Sequence, residues 1–236
     1  MIQFYAPDIE VNNALGPEDS AHCARVLRKQ PGDIIEVTDG KGHRFECRIV
    51  LCSPKKVEVE IISRQDIAKT WEGVIELWVA PTKNMDRMEW LVEKGVEIGV
   101  DRIVPMVCRR SERKVIKTER LLKIAVSAMK QSLKATLPEI CEARSFKEML
   151  ADTFGGRTVM GYCSPEIERK SFASEYRRGE NIRILIGPEG DFSPDEVEGA
   201  LGSGVVPVTF GNERLRTETA ALAAIHIPHV IQEISE

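Results

Sequence analysis

Apolar and polar side chains alternate in the first third of the chain. Asp33-Ile34-Ile35-Glu36-Val37-Thr38, Phe45-Glu46-Cys47-Arg48-Ile49-Val50-Leu51 and Val57-Glu58-Val59-Glu60-Ile61-Ile62 each read as a strand with one face buried. Asp39-Gly40-Lys41-Gly42 lies between the first two and predicts a hairpin turn. A short helix is predicted over Asp19 to Lys29, stopped by Pro31-Gly32. Residues 1–68 therefore read as a small β-barrel-like domain. The stretch from Ser63 to Gly73 is polar and aperiodic, which marks a linker.

The pattern changes after residue 73. Val74 to Ala80 and Arg102 to Val107 read as strands, separated by Met88, Leu91, Val92, Gly95 and Ile98 at helical spacing. A further helix carries Leu121, Leu122, Ala125, Ala128 and Met129 on one side. Strands are predicted at 157–163, 182–186 and 205–210, and helices at 194–201 and from Thr217 onward. Strands alternating with helices predict an α/β layer fold with a mainly parallel sheet over residues 73–236.

Composition narrows the class. Hydrophobic residues make up 42% and charged residues 30%, which suits a globular chain rather than a disordered one. The start, Met1-Ile2-Gln3-Phe4-Tyr5-Ala6-Pro7-Asp8, has no basic segment followed by an apolar run, so no signal peptide is expected. No stretch approaches the roughly 18 apolar residues of a membrane span. A cytoplasmic location with reduced thiols follows as the expectation. The six cysteines form no C-x-x-C pair, and His226 and His229 have no obvious third ligand, so no metal is expected.

The net charge of −4 argues at first sight against a phosphate-rich partner. Its distribution reverses that reading. The segment Asp101–Ala135 alone carries +7 and the rest of the chain −11. A solvated helix face usually mixes signs, so so strong an imbalance reads as a nucleic-acid footprint. Arg25, Arg28 and Lys29 form a second basic group.

Two glycine-containing loops carry the chemistry. Arg183-Ile184-Leu185-Ile186 runs into Gly187-Pro188-Glu189-Gly190-Asp191-Phe192, and Ser193-Pro194-Asp195-Glu196 then opens a helix with a capping box. Val206-Pro207-Val208-Thr209-Phe210 runs into Gly211-Asn212-Glu213-Arg214-Leu215-Arg216, with Thr217 as the expected N-cap of the last helix. Simple strand–helix punctuation explains one such loop, but hardly two. Loops at the carboxyl ends of parallel strands are where ligands bind in open α/β sheets. Neither G-x-G-x-x-G after the first strand of this part nor G-x-x-x-x-G-K-[ST] is present, which disfavours an ordinary dinucleotide enzyme, ATPase or Rossmann-type methyltransferase.

These motifs resemble those of the SPOUT (α/β-knot) superfamily, in particular the ribosomal small-subunit methyltransferase E family. The resemblance rests on Ile186-Gly187-Pro188-Glu189-Gly190 and Leu215-Arg216-Thr217-Glu218-Thr219-Ala220. It also rests on His22-x-x-x-Val26-Leu27-Arg28 with Gly32-Asp33, Lys83-x-x-x-x-Met88, Lys94 through Gly99-Val100, and Ala128-x-x-Gln131-Ser132 through Pro138-Glu139-Ile140. It covers nearly the whole chain. The chain departs from the usual pattern at Asp191, where Gly is more common, and at Phe210-Gly211 and Glu97-Ile98-Gly99. The resemblance implies a PUA-like RNA-binding domain over 1–68, a trefoil-knot methyltransferase domain over 73–236, and a homodimer. It implies methyl transfer from S-adenosyl-L-methionine to uracil N3 at position 1498 of 16S ribosomal RNA, in the 30S subunit.

By that resemblance, Ile186, Gly187, Glu189, Gly190, Phe210, Gly211, Leu215 and Arg216 are the expected cofactor-binding residues. Glu218 is the candidate base, Arg216 the candidate for positioning or charge stabilisation, and Gln131 a hydrogen-bonding partner for the uracil edge. Helix capping is the competing account of Glu218. Arg25, Arg28, Arg110, Arg113 and Lys114 are the candidate RNA contacts. The alternatives are a knotted methyltransferase acting on another RNA site, such as a ribose 2′-hydroxyl, and a non-catalytic RNA-binding or ribosome-assembly protein.

Overall fold

The computed structural model describes residues 2–163 and 167–234. Its contacts divide the chain into two compact units, Met1–Thr70 with Val126–Leu137, and Trp71–Ala125 with Pro138–Glu236.

The first unit is built on a four-stranded sheet of β1 (Gln3–Tyr5), β2 (Ile34–Thr38), β3 (His43–Ser53) and β4 (Lys56–Asp66), in that order. β1 runs parallel to β2, and the other pairs are antiparallel. The alternation seen in the sequence sends Ile35, Val37, Phe45, Cys47, Ile49, Val57 and Val59 into one core with Phe4 and Ile9. β4 runs on to Asp66, because His43 and Arg44 pair with Asp66 and Gln65. The first part of the expected linker is therefore strand. The expected helix over Asp19 to Lys29 starts earlier and is not uniform. It begins at Pro17 behind Gly16, runs as α-helix only over Pro17–Ala21, and continues as a π turn over His22–Val26. Two short elements, β1 and the helix α1 (Ile9–Asn12), carried no readable period.

The segment 126–137, expected in the second domain, is counted with the first unit. There Gln3 Nε2 donates to the Lys134 carbonyl at 2.8 Å and Arg44 Nη2 to the Leu133 carbonyl at 2.8 Å. The Thr38 hydroxyl donates to the Ala135 carbonyl at 3.1 Å, and Lys130 pairs with Asp19. These bonds satisfy main-chain groups that follow the end of a helix. That helix, α4 (Thr118–Gln131), begins in the second unit and ends in the first.

The second unit holds an eight-stranded parallel sheet. Its strands are β5 (Ile75–Val79), β6 (Arg102–Val107), β7 (Glu139–Ile140), β8 (Arg144–Ser145), β9 (Arg157–Gly161), β10 (Lys170–Ser171), β11 (Ile182–Ile186) and β12 (Val206–Thr209). The order is β10-β12-β9-β11-β5-β6-β7, with β8 paired to β6. The helices are α3 (Met85–Ile98), α5 (Phe146–Ala151), α6 (Phe172–Glu175), α7 (Pro194–Gly202) and α8 (Thr217–Ile234). The expected strands and long helices are all present, within a few residues of their predicted bounds. β7, β8 and β10 span two residues each, too short to carry a period.

β5 and β11 are buried along their whole length, as central parallel strands are. Each carries one charge, Glu76 and Arg183, and the strand register sets them opposite one another. Arg183 Nε donates to Glu76 Oε1 at 2.6 Å, and Arg102 and the Trp78 indole N–H also reach Glu76. The buried charges are thus paired and hydrogen-bonded, as the low-dielectric interior requires. α8 packs against α3, where the His229 ring bonds with the Gly99 carbonyl at 2.8 Å. His229 is thereby a packing residue with a hydrogen-bonded ring, and His226 is exposed. Among the described residues no cluster of His, Cys, Asp and Glu could hold a metal ion.

Candidate functional site

β12, β9 and β11 are adjacent and parallel, so the loops leaving their carboxyl ends emerge on one side. They enclose a cleft of about 960 Å³. Ile186, Gly187 and Glu189 line it from the loop after β11. Phe210, Gly211, Leu215 and Arg216 line it from the loop after β12. The structure therefore brings together in one place seven of the eight residues expected to bind the cofactor. Gly190 is in the same loop but does not line the cleft. Its carbonyl accepts a hydrogen bond from Arg110 Nη1 at 2.9 Å.

Local chemistry explains how the loops are held. The Ser193 hydroxyl accepts the Glu196 N–H and the Glu196 carboxylate accepts the Ser193 N–H, with Pro194 in the first turn. This capping box ends the first loop and starts α7 as the sequence indicates. Thr217 departs from its expected role as N-cap. It is the first residue of α8, its hydroxyl donates to the Gly187 carbonyl at 3.3 Å, and the Ala220 N–H already bonds with the Arg216 carbonyl. Thr217 thus ties the two motif loops together. Gly211 holds φ +126°, where a side chain would be strained.

The third wall comes from Gly161, Tyr162 and Cys163 after β9, with Arg169 beyond them. Arg169 Nη1 donates to the Tyr162 carbonyl at 3.0 Å. A Cβ on Gly161 would fall 2.5 Å from Phe210 Cε2, so glycine alone allows the Phe210 ring to close on the end of β9. That ring also meets Phe172 of α6 edge-on at 5.7 Å. The only sequence signal for Gly161 is a glycine at a strand end, which any turn would also explain.

The candidate catalytic residues separate. Arg216 is exposed and lines the cleft. Glu218 is buried at 7% exposure and does not line it; its carboxylate pairs with Arg87 Nε of α3 at 3.6 Å. Arg87 carried no signal in the sequence. Gln131 is exposed and belongs to the first unit, whereas the residues that line the cleft belong to the second.

The candidate RNA contacts also divide. Arg25 and Arg28 are exposed on the first unit, at the π turn and just beyond it. Lys114 is exposed on the second unit and, with Lys83, Glu112, Arg113 and Val115, lines a smaller hollow of about 340 Å³. There the Lys83 ammonium bonds with Glu112 at 2.8 Å, which holds its pKa above the usual lysine value. Arg110 and Arg113 turn to main-chain carbonyls. Arg110 Nη1 also reaches the Phe192 carbonyl at 3.1 Å, and Arg113 Nη2 reaches that of Lys83 at 3.2 Å.

The cleft suits an elongated ligand with both apolar and polar parts. Ile186, Val208, Phe210 and Leu215 supply apolar walls, and the loops present main-chain groups at their edges. Arg110, Arg169, Arg214 and Arg216, together with Glu189, Asp191 and Glu213, give the cleft a lining of mixed charge.

Comparison with known proteins agrees with this layout. A family model described as an RNA methyltransferase domain matches residues 70–229, and one described as an RNA methyltransferase PUA domain matches residues 15–62. The chain is similar to the ribosomal RNA small subunit methyltransferase E of Bacillus subtilis, with 29% identity over 221 residues, covering 88% of this chain and 86% of the relative. A crystal structure of a probable rRNA-methyltransferase from Porphyromonas gingivalis superposes with a TM-score of 0.95 at 43% identity, covering 100% of both chains. A ribosomal RNA small subunit methyltransferase E from Neisseria gonorrhoeae, bound to S-adenosyl methionine, superposes with a TM-score of 0.78 at 28% identity, covering 99% of this chain and 98% of the other.

Proposed function

The chain belongs to the RNA methyltransferase family, and from that premise we propose that it methylates N3 of one uridine in 16S ribosomal RNA, using S-adenosylmethionine. The observation that carries this reading is the convergence of both motif loops, with the end of β9, on one cleft. The Bacillus subtilis relative is named for small-subunit ribosomal RNA, and the Neisseria gonorrhoeae structure holds S-adenosyl methionine.

The residues present fit that cofactor. Gly161 lets the Phe210 ring close on the end of β9, Gly211 holds a positive φ, and Ile186, Phe210 and Leu215 offer apolar surface to a nucleoside. Main-chain groups of Gly187 and Glu189 and of the 211–216 loop would hold the ribose and the adenine edge. When bound, S-adenosylmethionine supplies an electrophilic methyl group. The chain must then align uracil N3 and favour loss of its proton. Arg216, a cation lining the cleft, is placed to stabilise the negative charge that develops on the uracil. Glu218, two residues on in the sequence and paired with Arg87, is our candidate base. Gln131, on the first unit, joins the reading as the hydrogen-bonding partner of the uracil edge.

Arg25, Arg28, Arg113 and Lys114 are the proposed RNA contacts on the two units. A homodimer, the 30S subunit as substrate and a cytoplasmic location belong to the same reading. Exposed Trp90 on α3 and Leu122 on α4 offer apolar surface for self-association. No described helix is long and apolar enough to cross a membrane. The trefoil knot is part of the reading too, supported by the return of α8 onto α3, β5 and β11 after it leaves β12.

The test pairs calorimetric titration with S-adenosylmethionine and single-turnover methylation, on the wild type and Glu218→Gln. The wild type is expected to bind the cofactor and to methylate. Glu218→Gln is expected to keep cofactor affinity and to lose turnover by about a hundredfold or more, a hundredfold being the low end of what a general base contributes. Unchanged turnover would remove Glu218 as the base. A wild type that binds no cofactor would favour the non-catalytic alternative.

A further inference from the structure

The basic segment between β6 and α4, residues 108–117, is bonded to the loop that follows β11. Arg110 is exposed, yet its Nη1 donates to the carbonyls of Gly190 at 2.9 Å and Phe192 at 3.1 Å. These carbonyls flank Asp191, which holds φ +59° in the left-handed region. Aspartate tolerates that conformation better than most side chains but still less well than glycine. The Asp191 carboxylate accepts the Phe192 N–H at 2.8 Å and, from the neighbouring loop after β9, the Cys163 N–H at 3.3 Å. The turn is held on one side by Arg110 and on the other by a bond to the adjacent wall of the cleft.

The other arginines of the segment reach the same stretch. The Arg109 N–H donates to Glu196 Oε1 at 2.8 Å, and its guanidinium pairs with Asp195. Arg113 Nη2 donates to the Lys83 carbonyl, and the Lys83 N–H donates in turn to Glu189 Oε1 at 3.0 Å. Arg109 and Arg110 thus reach residues 189–196 directly, and Arg113 does so through Lys83.

We propose that Arg110 is a positioning residue for the cofactor loop rather than an RNA-phosphate contact, and that it couples RNA binding on the basic segment to S-adenosylmethionine binding in the cleft. This inference rests on the function proposed above. A phosphate at Arg110 would compete for the Nη1 donor that holds both carbonyls. A phosphate on the exposed Lys114 instead restrains a segment already bonded to the cofactor loop. Whatever one ligand gains from that shared restraint the other gains equally, because coupling between two binding sites is reciprocal.

The experiment titrates S-adenosylmethionine calorimetrically into wild type, Arg110→Lys and Arg110→Met, with and without a saturating 16S RNA fragment, and measures RNA affinity against salt. Arg110→Met keeps the aliphatic stem and removes every donor. It is expected to weaken cofactor binding about tenfold, the scale for losing charge-assisted hydrogen bonds. Its RNA salt slope is expected to match that of the wild type. RNA is expected to tighten cofactor binding about fivefold in the wild type, at the low end of usual couplings, and less than about twofold in Arg110→Met. Arg110→Lys, with one donor group in place of a fork, should fall between them.

Arg110→Met that keeps cofactor affinity while its salt slope drops by about one would make Arg110 a phosphate contact and overturn the proposal. A wild type that binds the cofactor with an affinity insensitive to RNA would overturn the coupling. A wild type that binds no cofactor at all would overturn the function itself, and that result appears before any substitution is made.

Discussion

Gly161 decides how close Phe210 comes to the end of β9. Alanine there would place a methyl group 2.5 Å from the ring edge, and the ring is itself backed by Phe172. The displaced ring must move toward the cleft or open the strand end. Gly161→Ala is therefore expected to weaken S-adenosylmethionine binding about tenfold, because the wall of the cleft shifts by more than a hydrogen bond tolerates. Calorimetry of the folded variant checks this; unchanged affinity would show that the Phe210 wall does not touch the cofactor. Gly187, Glu189 and Leu215 were legible because each sits in a long motif. Gly161, Cys163 and Arg169 were not, since isolated residues at a strand end carry no period and their approach to Phe210 is set only by tertiary packing. Glu218 shows the opposite limit. Its place in a motif and at a helix start was plain, but its pairing with Arg87, 131 positions away in sequence, had no local signature.

At the scale of elements, the capping box of α7 fixes where the cofactor loop ends. Ser193 accepts the Glu196 N–H, and Glu196 also holds the Arg109 N–H of the basic segment. Ser193→Ala removes the cap and should lower stability by about 1 kcal/mol, the usual value of such a cap. In a chain of this length that is a fall of about 2–4 °C in melting temperature. A fall well beyond that range would mean that the cap supports the basic segment as well as the helix. The Ser-Pro-Asp-Glu pattern made this element readable, as did the apolar runs of β5 and β11 and the helical spacing of α3. The π turn at His22–Val26 and the two-residue strands were not readable, because hydrogen-bond patterns of one turn or one pair leave no periodicity. α4 was placed as an element but not in its division, because the bonds of its final residues to Asp19, and of 133–135 to the first unit, link positions roughly ninety or more apart.

For the whole molecule, the uneven charge is the feature most tied to function. The net value of −4 combines a positive segment with an acidic remainder, and the structure further divides that segment by task. Lys114 stays exposed, while Arg109, Arg110 and Arg113 hold neighbouring loops. Counting charge in the sequence located the segment but could not separate cations facing solvent from those bonded to the fold. The central claim, methyl transfer to uracil N3, is tested most directly by incubating the protein and S-adenosylmethionine bearing an isotopically labelled methyl group with 30S subunits or with naked 16S RNA, then mapping the label by nuclease digestion and nucleoside mass spectrometry. The expected result is label in N3-methyluridine at one site of 16S RNA. Label on a ribose 2′-hydroxyl, on another base, or on neither substrate would contradict it.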